Sequence, residues 1–112
     1  MENMIKIEGG VCAAKGFTAA GIHCGIRKNK TKHDLSVIFS DVKAATACVY
    51  TTNRVKGAPL TVTKNHIADG YARAVICNSG NANTCNANGI EIAEQMSDLL
   101  GSALHISPAD VV

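Results

Sequence analysis

The sequence predicts an α/β chain whose first half is an antiparallel meander, and three observations carry that reading. "DLSVIFSD", Asp34 to Asp41, alternates Leu35, Val37 and Phe39 with Ser36, Ile38 and Ser40, the period of a half-buried strand. Ala74 to Cys77 in "ARAVICN" is apolar without a break, as in a strand covered on both faces. From Ile90 to Leu100, a stripe of Ile92, Met96, Leu99 and Leu100 opposes Glu91, Glu94, Gln95 and Asp98, the pattern of an amphipathic helix. Hydrophobic residues make up 46% of the 112 and aromatics only 4%, so the core is built from Val, Ile, Leu and Ala.

Residues 1–18 form a glycine-rich lead-in. "AAGIHCGI", Ala19 to Ile26, supplies the first strand, and the basic stretch "RKNKTKH" joins it to the second as a solvated hairpin loop or an anion site. "ATACVYT", Ala45 to Thr51, is expected as the third strand after a short "VKA" turn. Gly57 and Pro59 interrupt the pattern, "LTVT" resumes extended structure, and "KNHIADG" reads as a short helix stopped by Gly70. "ARAVICN" follows as a strand. The amphipathic helix has Asn88 and Glu91 at capping-box spacing and Gly101 as its expected C′ stop. Ser107 and Pro108 then suit the N-cap and N1 positions of one further turn. "DVV" ends the sequence where a strand would begin. The expectation is a single domain over residues 1–112, or the N-terminal fragment of a larger chain.

Composition narrows the chemistry. A net charge of +2 falls short of the basic face that a phosphate backbone requires, so no nucleic-acid partner is expected. No apolar run approaches the roughly 20 residues of a membrane span. The five cysteines, at 12, 24, 48, 77 and 85, contain no C-x-x-C pair, and "MENMIKIEGG" lacks a signal peptide's apolar region. The expectation is a cytoplasmic chain with free thiols. The four histidines are scattered over different segments and match no zinc spacing, so no metal is expected. Asp34 and Asp41 lie too far apart along a strand, at roughly 3.3 Å per residue, to act as a carboxylate pair. No nucleophile stands beside an evident base.

The most unusual segment is "VICNSGNANTCNANG", Val75 to Gly89, with five asparagines and two glycines. It lies between a buried strand and a helix N-terminus, where open sheets commonly present ligands. Asn78, Ser79, Gly80, Asn81 and Asn83 are the candidate residues for lining or bracing a site. Amides and a hydroxyl can orient a substrate, but they do no acid–base work near neutral pH. Asparagines also adopt left-handed and Asx-turn conformations at little cost, so on residue chemistry alone the tight turn is the favoured reading of the segment.

Four stretches in order, "KGFTAAGIHCGI", "DLSVIFSD", "VYTTNRVKGAP" and "AVICNSGNANTC", resemble the N-terminal part of the ornithine acetyltransferase family, the bifunctional glutamate N-acetyltransferases of cyclic arginine biosynthesis. The resemblance spans residues 11–112, and "NSGNAN" is its most specific piece. Asn86-Ala87 stands where the family more often has Thr-Gly, and Gly57 where alanine is common. The resemblance implies a layered αββα sandwich of the self-cleaving, N-terminal-nucleophile type. It implies that acetyl passes from N-acetylornithine to a threonine freed by self-cleavage and then to glutamate, with the threonine's own amine as base. Acetyl-CoA is a substrate for some members, and no cofactor is implied. The nucleophile and the oxyanion donors of a Ser-Thr-Gly segment would lie beyond Val112. No catalytic residue is therefore expected in this chain, which would be inactive without the rest of the α chain and the β chain. On this reading the asparagine loop shapes or braces the acyl site. The alternatives are a self-contained small-ligand binding module built on the asparagine loop, and a purely structural α/β domain.

Overall fold

In the computed structural model, which describes residues 3–112, strand β2 (Leu35–Ala45) lies between β1 (Phe17–Ile22) and β3 (Tyr71–Asn78) in one antiparallel sheet. Phe17 pairs with Ser40 and Ile22 with Leu35, while Leu35 also pairs with Asn78. Three antiparallel strands in the order β1-β2-β3 match the expected meander, but the third strand comes from a different segment. Ala45 to Thr51 does not form it: β2 runs through the expected "VKA" turn to Ala45, and residues 46–53 have no regular structure. β2 can run on because its register slips between Phe39 and Ala44, and the carbonyls freed by this bulge find a donor. The Arg73 guanidinium donates to Ser40 O at 3.1 Å and Asp41 O at 2.6 Å. The bulge also buries Ser40, whose hydroxyl donates to Val42 O at 2.7 Å, against the expected exposure of that position.

The expected extended "LTVT" is instead part of helix α1, Ala58–His66, with Gly57 as an extended N-cap and Pro59 in the first turn. Pro59 is preorganised for that position, and Val62 is buried, so packing overrides the β preference of Thr61, Val62 and Thr63. A 3₁₀ turn, Ile67–Asp69, follows, and Gly70 at φ 81° ends it as expected. The first strand is shifted too: it starts at Phe17, and Cys24 to Ile26 belong to the hairpin loop.

Helix α2 runs from Gly89 to Leu104. Gly101 is not its stop. The helix continues to a left-handed C-cap at His105, φ 56°, and Ile106 N donates to Gly101 O at 2.9 Å. Nor does a capping box form, since no side chain caps Asn88's end of the helix; Gln95 instead donates to Glu91 at 3.2 Å. The buried face is not the large apolar stripe either. Gly89, Ala93, Ser97 and Gly101 are buried at strict i, i+4 spacing, while Leu99 is 73% exposed. These small residues let α1 and the terminal segment approach closely. A Cβ on Gly89 would lie 2.8 Å from the Ala58 Cβ, and one on Gly101 would lie 3.0 Å from Ile106 O.

Beyond α2, Ser107 caps a 3₁₀ turn, Pro108–Asp110, accepting a hydrogen bond from Ala109 N. Val111 then lies parallel to β3, with Val112 N donating to Ala74 O and Ile76 N to Val112 O, both at 2.8 Å. Of the strand expected at "DVV", the described residues form a single parallel bridge, Ala74 with Val111. Lys43 pairs with Asp110 at 3.2 Å, and the His66 ring hydrogen-bonds Val111 O at 2.8 Å. Val111, Val62, Ala72, Ala74 and Ala93 are the buried apolar residues among those described.

Candidate functional site

The helix pair, the end of β3 and the Val111–Val112 segment enclose a cleft of about 240 Å³. Its floor is Ile76, Val111 and Val112, and Val62, Ile92 and Met96 form its helical wall. The asparagine loop supplies most of its polar edge through Asn78, Asn81 and Asn83. None of the lining side chains carries a charge.

The loop is built from its own amides. Asn78 Nδ2 donates to Asn81 O at 2.8 Å, and Asn81 Oδ1 accepts from Asn83 N at 3.0 Å, the geometry of an Asx turn. Asn83 is the hub. Its backbone is left-handed at φ 47°, a conformation asparagine tolerates better than most residues. Its Nδ2 donates to Gly89 O at 2.8 Å, its Oδ1 accepts from Asn86 at 3.0 Å, and its carbonyl accepts from Ala58 N at 3.0 Å. One residue thus joins the N-termini of α1 and α2. Among the described residues, the Nδ2 of Asn81, a residue that lines the cleft, donates to no protein group.

The five predicted residues divide into two groups. Asn78, Asn81 and Asn83 line the cleft, whereas Ser79 and Gly80 face the β1–β2 hairpin loop. Ser79 N donates to Asp34 O at 2.9 Å. Gly80 has φ 106°, and a Cβ there would lie 2.9 Å from the Arg27 Cγ and 3.1 Å from the Ile26 Cγ2. Asp34, too far from Asp41 for a carboxylate pair, has a structural part that its sequence position does not by itself announce. Asp34 is 2% exposed, and its carboxylate accepts from Cys24 N at 2.7 Å and Arg27 N at 2.8 Å. These bonds, the Cys24 amide first, hold its pKa well below the usual carboxylate range against the opposing effect of desolvation. The His23 Nδ1 lies 3.2 Å from the carboxylate and 3.0 Å from Lys32 O. Both partners accept, so Nδ1 is the nitrogen that carries the proton. One signal was available in the sequence: an acidic residue closing a basic loop, immediately before a strand.

Other reactive groups do not converge. The Cys24 thiol is raised by desolvation and then by its hydrogen bond to, and the charge of, Asp34, which disfavours the thiolate nucleophile. All five cysteines are unpaired and exposed. No group of three or more His, Cys, Asp or Glu among the described residues is placed to hold a metal ion. No described helix is long and apolar enough to cross a membrane. The arrangement can bind and orient an uncharged group, but it offers no acid, base or activated nucleophile within the cleft.

Comparison with known proteins supplies the wider setting. The ArgJ family model matches residues 18–112. The chain is 41% identical over 110 residues to the arginine biosynthesis bifunctional protein ArgJ of Shouchella clausii, covering 96% of this chain and 26% of that one. It is 39% identical over 109 residues to that of Bacillus subtilis, with the same coverage. The chain thus spans about a quarter of the length of the curated relatives it matches. The crystal structure of the Bacillus halodurans ArgJ protein superposes with a TM-score of 0.88 at 42% identity, over 93% of this chain and 55% of that one. That of ornithine acetyltransferase complexed with ornithine, from Mycobacterium tuberculosis, gives 0.86 at 35% identity, over 91% and 56%. The fold class is therefore that of these proteins, a mixed α/β architecture of the N-terminal-nucleophile type.

Proposed function

The chain belongs to the ArgJ family, and we propose that it serves as the N-terminal part of an acetyltransferase of arginine biosynthesis that moves acetyl from N-acetylornithine to glutamate. The observation that carries this reading is the family match, which takes in the asparagine loop on the edge of the uncharged cleft. The relatives' length, about four times the matched segment, supports a partnership with the rest of an α chain and a β chain. In the reaction, a threonine oxygen outside this segment attacks the acetyl carbonyl, and the carbon–nitrogen bond breaks to release ornithine. The glutamate amine then attacks the acyl-threonine ester, restoring the hydroxyl and giving N-acetylglutamate. Acetyl-CoA is an alternative donor, no cofactor takes part, and the setting is the cytoplasm. Within this scheme Asn78, Asn81 and Asn83 brace the acyl site and react with nothing. The segment by itself is inactive.

The test replaces the corresponding N-terminal segment of a Bacillus ArgJ protein with residues 1–112 and follows radiolabelled acetyl from N-acetylornithine to glutamate. The expected result is transfer by the processed hybrid and none by the 112-residue chain alone. A folded, processed hybrid without transfer overturns the reading.

A further inference from the structure

We infer that Asp34 is a positioning residue: by pinning the β1–β2 hairpin loop against Gly80 of the asparagine loop, it places Ile26 as one wall of the cleft and so governs the fit of an uncharged acyl-amide group. This inference rests on the acetyl-transfer reading for its substrate class, but not for its geometry.

The geometry starts with register. Leu35 pairs with Ile22 on one side and Asn78 on the other, so the residue before β2 and the residue after β3 are brought side by side. There Asp34 N donates to Ile22 O at 2.9 Å, and its carbonyl accepts from Ser79 N at 2.9 Å. Asp34 is thereby fixed at the root of both loops. Its carboxylate reaches into the hairpin loop and takes the amides of Cys24 and Arg27. Those two amides bracket Gly25 and Ile26, so their anchoring sets where the Ile26 side chain points. That side chain lines the cleft beside Asn78 and Asn81.

Gly80 is the seat on which the anchored turn rests. The Ile26 carbonyl lies 3.4 Å from the position a Cβ there would take, and the Arg27 stem is closer still. Val62, Ile92 and Met96 come from helices and Ile76 from the sheet, whose backbones are tied by regular hydrogen bonds, and the asparagine loop is held by its own amides. Ile26 is the lining residue contributed by an irregular loop that depends on one carboxylate. Because no lining side chain is charged, a charged amino-acid end gains no side-chain partner inside the cleft, whereas an acyl-amide can meet both apolar wall and asparagine amide.

Three substitutions in the assembled protein test this: Asp34→Asn at the anchor, Gly80→Ala at the seat and Ile26→Ala at the wall. Asp34→Asn turns an NH₂ toward one of the two amide donors, and Gly80→Ala leaves the anchor intact while displacing the turn. Each is expected to raise KM for N-acetylornithine by about tenfold, the scale of one lost aligned contact, with kcat within about twofold. In the Ile26→Ala background the Asp34→Asn effect on KM should vanish. If Asp34→Asn does not fold, Gly80→Ala carries the same comparison. Hydrogen exchange provides a readout independent of activity. Faster exchange at the Cys24 and Arg27 amides is expected in Asp34→Asn. An Asp34→Asn effect that persists without the Ile26 side chain overturns the inference. Loosened Cys24 and Arg27 amides with unchanged KM overturn it as well. If the parent protein transfers no acetyl at all, the proposed function fails, and the exchange data alone decide whether the Asp34 carboxylate holds the hairpin loop in place.

Discussion

Asn83 is the residue whose loss should cost the candidate site most, and the structure allows the cost to be divided. Replacing it with alanine removes the bond to Gly89 O and the acceptor for Asn86, at about 0.5–1.5 kcal/mol each. It also places alanine at φ 47°, where a Cβ costs roughly 1–2 kcal/mol, less whatever strain asparagine already bears. Together these give about 2–4 kcal/mol. Asn83→Gly loses the same two bonds but escapes the left-handed penalty, in exchange for about 0.4–1 kcal/mol of extra chain entropy in the unfolded state. Glycine should therefore be the milder change, by about 0.5–1 kcal/mol. In urea unfolding followed by helix ellipticity, with a slope of roughly 1–3 kcal/mol per molar, the alanine variant should shift the midpoint down by about 1–2 M. The glycine variant should fall between it and the parent. A glycine variant at the parent midpoint would show that the side-chain bonds contribute nothing. An alanine variant as stable as glycine would refute the argument from backbone conformation.

Gly101→Ala sets helix propensity against packing: about 1 kcal/mol is gained in the helix, while a Cβ 3.0 Å from Ile106 O and Pro108 N costs about 1–3 kcal/mol of overpacking. Net destabilisation is expected in thermal unfolding, and a raised midpoint would contradict the close approach. For Asp34, a folded-state pKa held below the unfolded value means that its contribution to stability is present above about pH 4 and is lost as pH falls through the folded value. The Cys24 and Arg27 amides, with His23 beside the same carboxylate, should therefore keep their protection at pH values where ordinary aspartates are already protonated. Loss of that protection at or above pH 4 would contradict the assignment. Thiol titration of the denatured chain without reductant should count all five cysteines, and a lower count would reveal disulfides.

The legible parts of this sequence were those where local pattern and tertiary setting agree. β3 was visible because its apolar run lies between turn signals, although the cover expected on both faces is missing, since Ala74 is buried and Cys77 exposed; Ser107 with Pro108 was visible because a cap is a local geometry. The misreadings have one physical source, which is that position in the fold outweighs side-chain preference. "LTVT" has β-branched residues suited to a strand, yet Pro59 and the burial of Val62 commit it to α1. "ATACVYT" has strand composition, but the sheet position beside β2 is taken by β3, reached through a helix that the sequence reading shortened. Gly101 carries the usual mark of a helix end, and its lack of a side chain serves instead for contact with Pro108.

The same distinction runs through the site. The asparagine loop stood out by composition, and both readings of it, ligand surface or tight turn, assumed that the amides had a single employment. In the structure they are divided: the Asn83 side chain holds the start of α2 and Asn86, while Asn81 accepts from Asn83 N through its amide oxygen and lines the cleft. A residue that must complete the turn before a ligand can meet its neighbour makes turn and binding edge successive steps of one construction. Asp34 belongs to that construction although it lies 44 positions before Asn78, because strand register alone sets it beside Ser79. No periodicity or motif within either loop records that adjacency. It arises only when β2 pairs with both neighbours, and the cleft acquires its polar edge and its Ile26 wall from the same pairing event.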